Sequence, residues 1–315
     1  MPEASREEGT LDGAAPDRDA IGSFARFEAS FEPGAEVVAL GVDSGATLVK
    51  LCALDAGGER HFGTWRSPST DRVLELADRL APERMGVTGC GTASLLAGLG
   101  RGAASPIEFD AWGRGANEIL ERSGLATEEP YLLVSIGTGT SALRVEGDRV
   151  ERVGGTALGG GTALGLGLAL TGCRSHDELV ALAARGRRGE VDLLISDIYA
   201  VDSGIAIAAE ATAASFGKLA RRLESGDDDE GAVDARPEDL AAAVMGLVAE
   251  NIALLSHARA TAAGVRRVVY GGSTLYANPT IVETVRLLTS VMGLEAIVLP
   301  RSGHAGALGA MRLAS

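Results

Sequence analysis

The sequence of 315 residues contains little cysteine, little lysine and few aromatic residues. Its three cysteines, Cys52, Cys90 and Cys173, are far apart and show no CxxC spacing, which excludes a disulfide-stapled mini-protein and a zinc finger. Because only 4% of the residues are aromatic, the core must be built from Ala, Val, Leu and Ile. The only lysines are Lys50 and Lys218, and both lie in segments that contain motifs. Their positions are either a coincidence or a sign that a compact ammonium group is needed at a binding site.

Basic residues are also too few to balance the acidic ones. Asp and Glu number 43 against 29 for Lys and Arg, and the resulting net charge of -14 disfavours nucleic acid and anionic membranes as partners. Residues 1–35 mix acidic residues, Gly, Ala and Pro without periodicity, which predicts a flexible acidic N-terminal tail with a short helix near residues 21–27. This tail lacks the apolar segment of a signal peptide, so we expect a cytoplasmic protein.

The chain contains one long uncharged run, at residues 154–172. Its many glycines argue against a membrane span and predict a glycine-rich loop that leads into a buried helix. Helical spacing of apolar residues predicts further helices at residues 71–80, 93–99, 110–124, 176–185, 190–200, 207–223 and 237–263.

Two segments of the chain share one pattern. EVVALGVDSGATLVKLCAL at residues 36–54 and YLLVSIGTGTSALRV at residues 131–145 each consist of an apolar strand, a polar turn rich in Gly and Thr, and a second apolar strand. The repeat predicts an α/β fold of two related domains, at residues 36–128 and 129–315, which face each other across a cleft.

The first of these turns contains Asp43, Gly45 and Thr47, with Lys50 shortly after it. Small residues expose backbone N–H groups, and a hydroxyl and an ammonium can join them around phosphate oxygens. Asp43 would then hold Mg²⁺ through water. Taken alone, the same residues are explained equally well by a plain β-turn.

Three more glycine-containing loops follow. They lie at residues 137–141, at residues 159–161 before a predicted helix, and at residues 271–273 after another apolar strand. Several such loops can share the charge of a nucleoside triphosphate, so ATP is the predicted ligand. The chain contains no GxxxxGK[ST] motif and no GxGxxG after its first strand, which excludes a P-loop enzyme and gives no support to dinucleotide binding.

Five segments, DSGATLVK, EFDAWGRGA, the block at residues 137–172, AASFGKL and GHAGALGAM, together resemble type II pantothenate kinases of the actin, sugar-kinase and chaperone-ATPase superfamily. The resemblance implies two actin-like, ribonuclease H-like domains with an ATP cleft between them. It also implies the ATP- and Mg²⁺-dependent phosphorylation of pantothenate to 4'-phosphopantothenate, the first step of coenzyme A biosynthesis. A homodimer is implied as well, with the helix at residues 237–263 either at its interface or simply in the core.

The resemblance also implies roles for individual residues. Glu108 matches the general base of the family, although without the resemblance it would be interpreted as a helix cap. Arg152 matches an arginine that holds pantothenate, and a solvated strand arginine is the alternative. Thr138 matches a residue that contacts substrate or nucleotide. The predicted nucleotide-binding residues are Asp43, Gly45, Ala46, Thr47, Leu48, Lys50, Gly137, Thr138, Gly139, Gly160, Gly161, Thr162, His176 and Ser273, with Asp43 also near the metal.

Two segments depart from the family pattern: TGCG at residues 88–91, where TGG is commoner, and the first polar turn. Ala46 stands where the family has a second glycine, which is harmless if the φ angle of Ala46 is negative. Two other functions remain open: a kinase for another small hydroxyl compound, such as pantetheine or an amino sugar, and a catalytically silent nucleotide-binding regulator. The presence of both Glu108 and Arg152 favours an active pantothenate kinase.

Overall fold

The computed structural model describes residue 21 and residues 23–26, 31–199, 211–225 and 235–314. Most of the predicted N-terminal tail lies outside these residues. The strands are β1 (Ser23–Arg26), β2 (Val37–Ser44), β3 (Leu48–Asp55), β4 (Arg60–Arg66), β5 (Arg84–Thr88), β6 (Tyr131–Ile136), β7 (Thr140–Glu146), β8 (Arg149–Thr156), β9 (Leu193–Leu194), β10 (Thr212–Ala214), β11 (Arg267–Gly271) and β12 (Glu295–Val298). The helices are α1 (Thr70–Leu80), α2 (Thr92–Gly98), α3 (Glu108–Arg122), α4 (Gly160–Thr171), α5 (His176–Ala183), α6 (Gly217–Ser225), α7 (Pro237–Ala263), α8 (Pro279–Val291) and α9 (Ala305–Arg312).

Two five-stranded mixed sheets share one arrangement of four strands, and the fifth strand lies at a different edge in each sheet. The second sheet has the order β12-β11-β6-β7-β8, in which β6, β7 and β8 are antiparallel neighbours and β11 pairs in parallel with β6. In the first sheet, β2, β3 and β4 are likewise antiparallel neighbours, and β5 pairs in parallel with β2. The α/β class and the repeat predicted from the two polar turns are therefore confirmed.

The outer edge of the first sheet differs from the prediction. β1 pairs in parallel with β4, so the helix predicted near residues 21–27 is wrong over Ser23–Arg26. An edge strand exposes unpaired backbone N–H and C=O groups, and pairing with β1 satisfies those of β4.

α3 begins at Glu108, two residues before the predicted start. Its N-cap residue is Ile107, so Glu108 does not act as the N-cap and lies in the first helical turn instead of at a strand end. Glu108 and Asp110 are both acidic, and acidic residues in a first turn interact favourably with the helix dipole, which explains the earlier start.

The helices predicted at residues 190–200 and 207–223 are largely wrong. Short 3-10 turns flank β9, which pairs antiparallel with β10, and α6 begins only at Gly217. Local acceptors replace the helical hydrogen bonds here, since Asp192 accepts from the amide of Phe216 at 2.8 Å and Asp197 from that of Leu194 at 2.8 Å. Residue 200 of the first prediction and residues 207–210 of the second lie outside the described residues.

The two apolar helices differ in burial. α4 follows its glycine-rich loop as predicted, but it is not a buried helix, because Leu168 and Leu170 are 52% and 42% exposed. α7 coincides with the prediction at residues 237–263. By length and composition α7 could cross a membrane, yet 67% of its most apolar window is buried inside the protein, which is typical of a core helix.

α9 follows the second sheet in sequence but packs on the first sheet. The contact needs glycine, because a Cβ atom on Gly41 of β2 would lie 1.9 Å from the carbonyl oxygen of Ala307. One hydrophobic cluster includes Cys52 of the first sheet, Leu133 of the second and Leu308 of α9. The two halves of the chain therefore share a core at α9, and the domain division after residue 128 stays a prediction.

Candidate active site

A cleft of about 790 Å³ lies where the β2–β3 and β6–β7 turns meet. All the predicted site residues except Thr162 line it. The hydroxyl of Thr162 donates instead to the carbonyl oxygen of Ala157 at 2.9 Å, because the first turn of α4 places it against the preceding loop. Lys218 does not line the cleft, since its ammonium donates to the carbonyl oxygen of Gly189 and pairs with Asp197 at 2.8 Å.

The two polar turns touch each other across the cleft. Thr47 Oγ1 and Thr138 Oγ1 are 3.0 Å apart, which is a hydrogen-bond distance. The tip of the first turn is open to a ligand, because in the described part of the chain the amides of Ala46 and Thr47 donate to no acceptor. Ala46 is not among the described non-glycine residues with positive φ, so the condition under which its methyl group is harmless is met.

Ser67 stabilises the first turn and is not among the residues predicted from the sequence. Its hydroxyl donates to the carbonyl oxygen of Gly45 at 2.7 Å, and its amide donates to that of Thr47 at 3.0 Å. No pattern in the sequence connects residue 67 to the turn. The contact follows from the pairing of β3 with β4, which brings the end of β4 beside the turn.

The glycines at the start of α4 support the second turn. The amides of Gly160 and Gly161 donate to the carbonyl oxygens of Gly137 and Thr138 at 2.8 and 3.0 Å, so they are not free for phosphate as the sequence predicted. The hydroxyl of Thr274 also donates to Gly137, at 2.9 Å. A Cβ atom on Gly160 would lie 2.4 Å from Thr274 Oγ1, so this close packing requires glycine.

Three charged groups lie together at the base of the cleft. The ammonium of Lys50 lies 3.4 Å from Asp43 Oδ2, and the Asp43 carboxylate is buried. Burial raises the pKa of Glu108, the negative charge of Asp43 raises it further, and the Lys50 ammonium acts in the opposite direction. The Glu108 carboxylate is therefore a stronger base than an exposed one.

The residues around Asp43 fit a magnesium ion shared with a bound nucleotide. Asp43 is one buried carboxylate, whereas the group of three metal-ligating side chains found in the described residues, Asp55, Glu59 and His61, lies on the β3–β4 hairpin and does not line the cleft. Mg²⁺ commonly takes one or two carboxylates together with substrate phosphates and waters. Asp43 can therefore contribute to such a site, but protein side chains alone would not complete it.

Arg152 lies beside the first turn of α3. Its guanidinium carbon is 5.9 Å from the centre of the Phe109 ring, next to Glu108 in sequence. The side chain is exposed and lines the cleft, so it is accessible to an anionic ligand as well as to solvent. A planar guanidinium suits a carboxylate, with which it can form two parallel hydrogen bonds.

His304 is a cleft residue that the sequence analysis did not select. Its Nε2 atom lies 2.9 Å from Thr64 Oγ1 and 3.2 Å from the carbonyl oxygen of Gly63. Burial lowers the pKa of His304 to about 3, so the ring is neutral at physiological pH. The other lining residues that were missed include Arg66, Cys90, Trp112, Ser135, Thr156, Arg174, Ser175, Asp177, Thr274, Tyr276 and Gly303. Only Trp112 carried a sequence signal, because it follows Glu108 by one helical turn.

Comparison with known proteins gives two kinds of match. Residues 114–313 match the model of a protein family described as Fumble. The type II pantothenate kinase of Staphylococcus saprophyticus is 32% identical over 274 residues, which cover 87% of this chain and 99% of that protein. The type II pantothenate kinase of Oceanobacillus iheyensis is 34% identical over 273 residues, which cover 86% and 98%.

Solved structures with the same fold are more distant in sequence. An activator of 2-hydroxyisocaproyl-CoA dehydratase from Clostridium difficile, solved with bound ADPNP, superposes with a TM-score of 0.56 at 20% identity over 88% of this chain and 93% of that chain. A ROK family glucokinase from Streptomyces griseus, solved with glucose and AMPPNP, gives a TM-score of 0.52 at 15% identity, with 88% and 98% covered. With the repeated strand order, these likenesses confirm the predicted actin-like fold.

Proposed function

The chain belongs to the type II pantothenate kinase family, and we propose that it transfers the γ-phosphate of ATP to the primary hydroxyl of pantothenate. The products are ADP and 4'-phosphopantothenate, the first intermediate on the route to coenzyme A. The observation that carries the proposal is the meeting of both polar turns with Glu108 and Arg152 in a single cleft. The relatives that are named type II pantothenate kinase align with this chain over almost their whole length.

ATP is held by its phosphates between the two turns. The open amides of Ala46 and Thr47 and the hydroxyls of Thr47 and Thr138 supply donors, and the Lys50 ammonium supplies positive charge. Gly160 and Gly161 act indirectly by fixing the second turn. His176 and Ser273, which line the same cleft, belong to the nucleoside end of the site.

Asp43 is the residue that would hold Mg²⁺, through water, beside the phosphates. When bound, the ion neutralises charge that develops on the phosphate oxygens. Support for this part of the proposal is the buried position of the Asp43 carboxylate at the base of the cleft.

Glu108 accepts the proton of the substrate hydroxyl. As that proton leaves, the hydroxyl oxygen forms a bond to the γ-phosphorus, the bond from this phosphorus to the bridging oxygen breaks, and the electron pair remains on ADP. The raised pKa of Glu108 suits the role, because a base is more effective when its pKa approaches the working pH.

Arg152 binds the carboxylate of pantothenate. Its position beside Phe109 places the guanidinium next to the first turn of α3, which carries Glu108. A substrate held there by its carboxylate extends towards the base with its hydroxyl end. Specificity for pantothenate over neutral hydroxyl compounds would follow from this one charged contact.

We also propose a cytoplasmic homodimer. Support for the cytoplasm comes from the three cysteines, all of which are free thiols. Support for a dimer comes from exposed apolar residues on the second half, namely Leu168 and Leu170 of α4 and Leu254 of α7. Because most of α7 is buried, only its outer face could take part in such an interface.

The proposed function is tested by measuring ADP formation with Mg²⁺ and ATP in the presence of pantothenate, pantetheine, N-acetylglucosamine or no acceptor. Turnover with pantothenate supports the proposal. Turnover only with another acceptor would show that the substrate is that compound instead of pantothenate. Nucleotide binding without phosphorylation of any acceptor would support a regulator. Glu108→Gln should lower kcat by about 10² to 10⁴ while ATP still binds. Asp110→Asn, two residues further along the same helix and outside the cleft lining, is the matched control.

A further inference from the structure

The indole N–H of Trp112 is a donor without an acceptor at the base of the cleft. Trp112 lines the cleft and is only 5% exposed, yet no oxygen in the described residues accepts a hydrogen bond from its Nε1 atom. We propose that this N–H donates to an oxygen of the phosphoryl group during its transfer from ATP to the acceptor hydroxyl. The inference rests on the proposed function and adds a substrate-contacting residue to it.

Trp112 and Glu108 lie on the same helix, α3. Trp112 follows Glu108 by four residues, and side chains with this spacing lie one above the other on a single face of a helix. Both residues line the cleft. The helix that presents the base to the substrate hydroxyl therefore presents the indole to the same region.

Two glycines define the orientation of the Trp112 ring. A Cβ atom on Gly271 would lie 3.1 Å from Trp112 Cζ3, so the benzene edge packs against β11. A Cβ atom on Gly306 would lie 2.9 Å from Trp112 Nε1, so the N–H edge faces the start of α9. Since the rest of the ring belongs to a hydrophobic cluster, the direction of the donor is fixed before any ligand binds.

The indole N–H of Trp112 also lies close to Asp43. The same Cβ position on Gly306 would lie 2.7 Å from Asp43 Oδ2, so the indole nitrogen and the carboxylate oxygen are neighbours across one glycine. Asp43 and Glu108 are near enough for the charge of one to raise the pKa of the other. The indole N–H therefore lies in the region where nucleotide phosphates and the base meet.

The chemistry of an indole group restricts the roles that Trp112 can have in the cleft. No described residue accepts a hydrogen bond from the Trp112 N–H, which belongs to a residue that lines the cleft, and an indole N–H can only donate. It can be neither a base nor a metal ligand, and the acceptors that enter this region during the reaction are phosphoryl oxygens. A hydrogen bond to a charged oxygen is stronger than one to a neutral oxygen, so the contact should strengthen as charge develops on the transferred group.

The experiment compares Trp112→Phe with Trp65→Phe in the full chain. The first variant keeps an aromatic ring but lacks the N–H, whereas Trp65 is buried in the first sheet and does not line the cleft. We expect Trp112→Phe to lower kcat about 10- to 100-fold, with KM for ATP and pantothenate changed less than about threefold. Trp65→Phe should leave kcat within about twofold of the unmodified protein. Equal kcat values for Trp112→Phe and the unmodified protein would overturn the inference.

A second measurement does not depend on the folding of Trp112→Phe. The chain contains two tryptophans, so Trp65→Phe leaves Trp112 as its single indole fluorophore. Titration of this variant with Mg²⁺ and AMPPNP should give a saturable change in indole emission, and an unchanged emission at saturation would overturn the inference. Absence of pantothenate phosphorylation by the unmodified protein, measured first, would instead overturn the proposed function.

Discussion

Thr47 and Thr138, from the turns of two different sheets, are joined by a hydrogen bond of 3.0 Å between their hydroxyl oxygens. One of the two hydroxyls donates this bond and the other accepts it. A phosphate that enters between the turns must replace this bond with bonds of its own. Because a hydrogen bond to a charged oxygen is stronger than one between neutral hydroxyls, the exchange favours the bound state.

Removal of the Thr138 hydroxyl should weaken nucleotide binding. We expect Thr138→Ala to raise KM for ATP about tenfold, since one hydrogen bond to a charged group is lost. Steady-state kinetics with varied ATP measure the effect. Thr162→Ala is the control, because that hydroxyl bonds to Ala157 outside the cleft, and its KM should stay within about twofold. Equal shifts in both variants would show that the effect is not specific to the turn.

The pH dependence of the reaction should report Glu108. Its raised pKa means that the ionised base is lost at a higher pH than for an ordinary glutamate, whose pKa is about 4.3. We expect kcat/KM to fall as the pH is lowered through this raised pKa. This acidic limb of the pH profile should be absent in Glu108→Gln. Burial lowers the pKa of His304 to about 3, so this residue should not contribute to the profile above pH 5. An acidic limb that persists in Glu108→Gln would show that another group is responsible for it.

The same pKa shift predicts a change in stability. A carboxyl group whose pKa is higher in the folded than in the unfolded state stabilises the fold below its unfolded pKa, and this contribution is lost as pH rises through the folded pKa. Glu108→Gln stays neutral at all pH values and should unfold at a higher temperature than the unmodified protein above that window. Thermal unfolding at pH 5 and pH 8 measures the difference, and a lower Tm at pH 8 would contradict the assignment.

Arg152 should determine the affinity for pantothenate and have little effect on the affinity for ATP. We expect Arg152→Ala to raise KM for pantothenate about 10- to 100-fold, because a charge-assisted contact to the carboxylate is removed. KM for ATP should not change. Arg149→Ala on the same strand is the control, since Arg149 is paired with Glu151 at 3.6 Å and does not line the cleft. Any residual activity with pantetheine, which has no carboxylate, should be unaffected.

A buried ion-pair group holds α3 against its neighbours. Glu118 of α3 is 7% exposed and pairs with Arg60 of β4 and, at 3.0 Å, with Arg312 of α9. Glu118→Ala would leave the buried Arg60 without its partner, so we expect the free energy of unfolding to fall by about 3 to 5 kcal/mol. Urea unfolding measures this, with the exposed Glu121→Ala as control. A change below that of the control would contradict the importance of the group.

Local patterns in the sequence predicted much of the fold and the residues around the cleft. The two polar turns are recognisable because Gly, Thr and Asp follow apolar strands, and α7 because its apolar residues extend over more than seven turns. Ser67 and His304 could not be selected in this way. Each reaches the cleft through strand pairing or helix crossing between segments distant in sequence, which periodicity does not report.

The errors have equally local physical causes. The region around β9 has helical spacing, but the side chains of Asp192 and Asp197 satisfy backbone amides there and favour turns. Gly160 and Gly161 have the composition of a phosphate loop, yet their amides are occupied by the carbonyl groups of the second turn. Composition identifies which donors exist, whereas only the structure shows which acceptors they meet.

The packing of α9 on the first sheet has a consequence for synthesis of the protein. A nascent chain emerges from the ribosome in order, so β2 and β5 become available long before residues 305–312. Until α9 emerges, Gly41 and Gly86 face no partner, and Asp43 lacks the helix start that later lies beside it. Phosphoryl transfer should therefore begin only once translation has passed α9. Incomplete chains that are released earlier would be inactive as kinases.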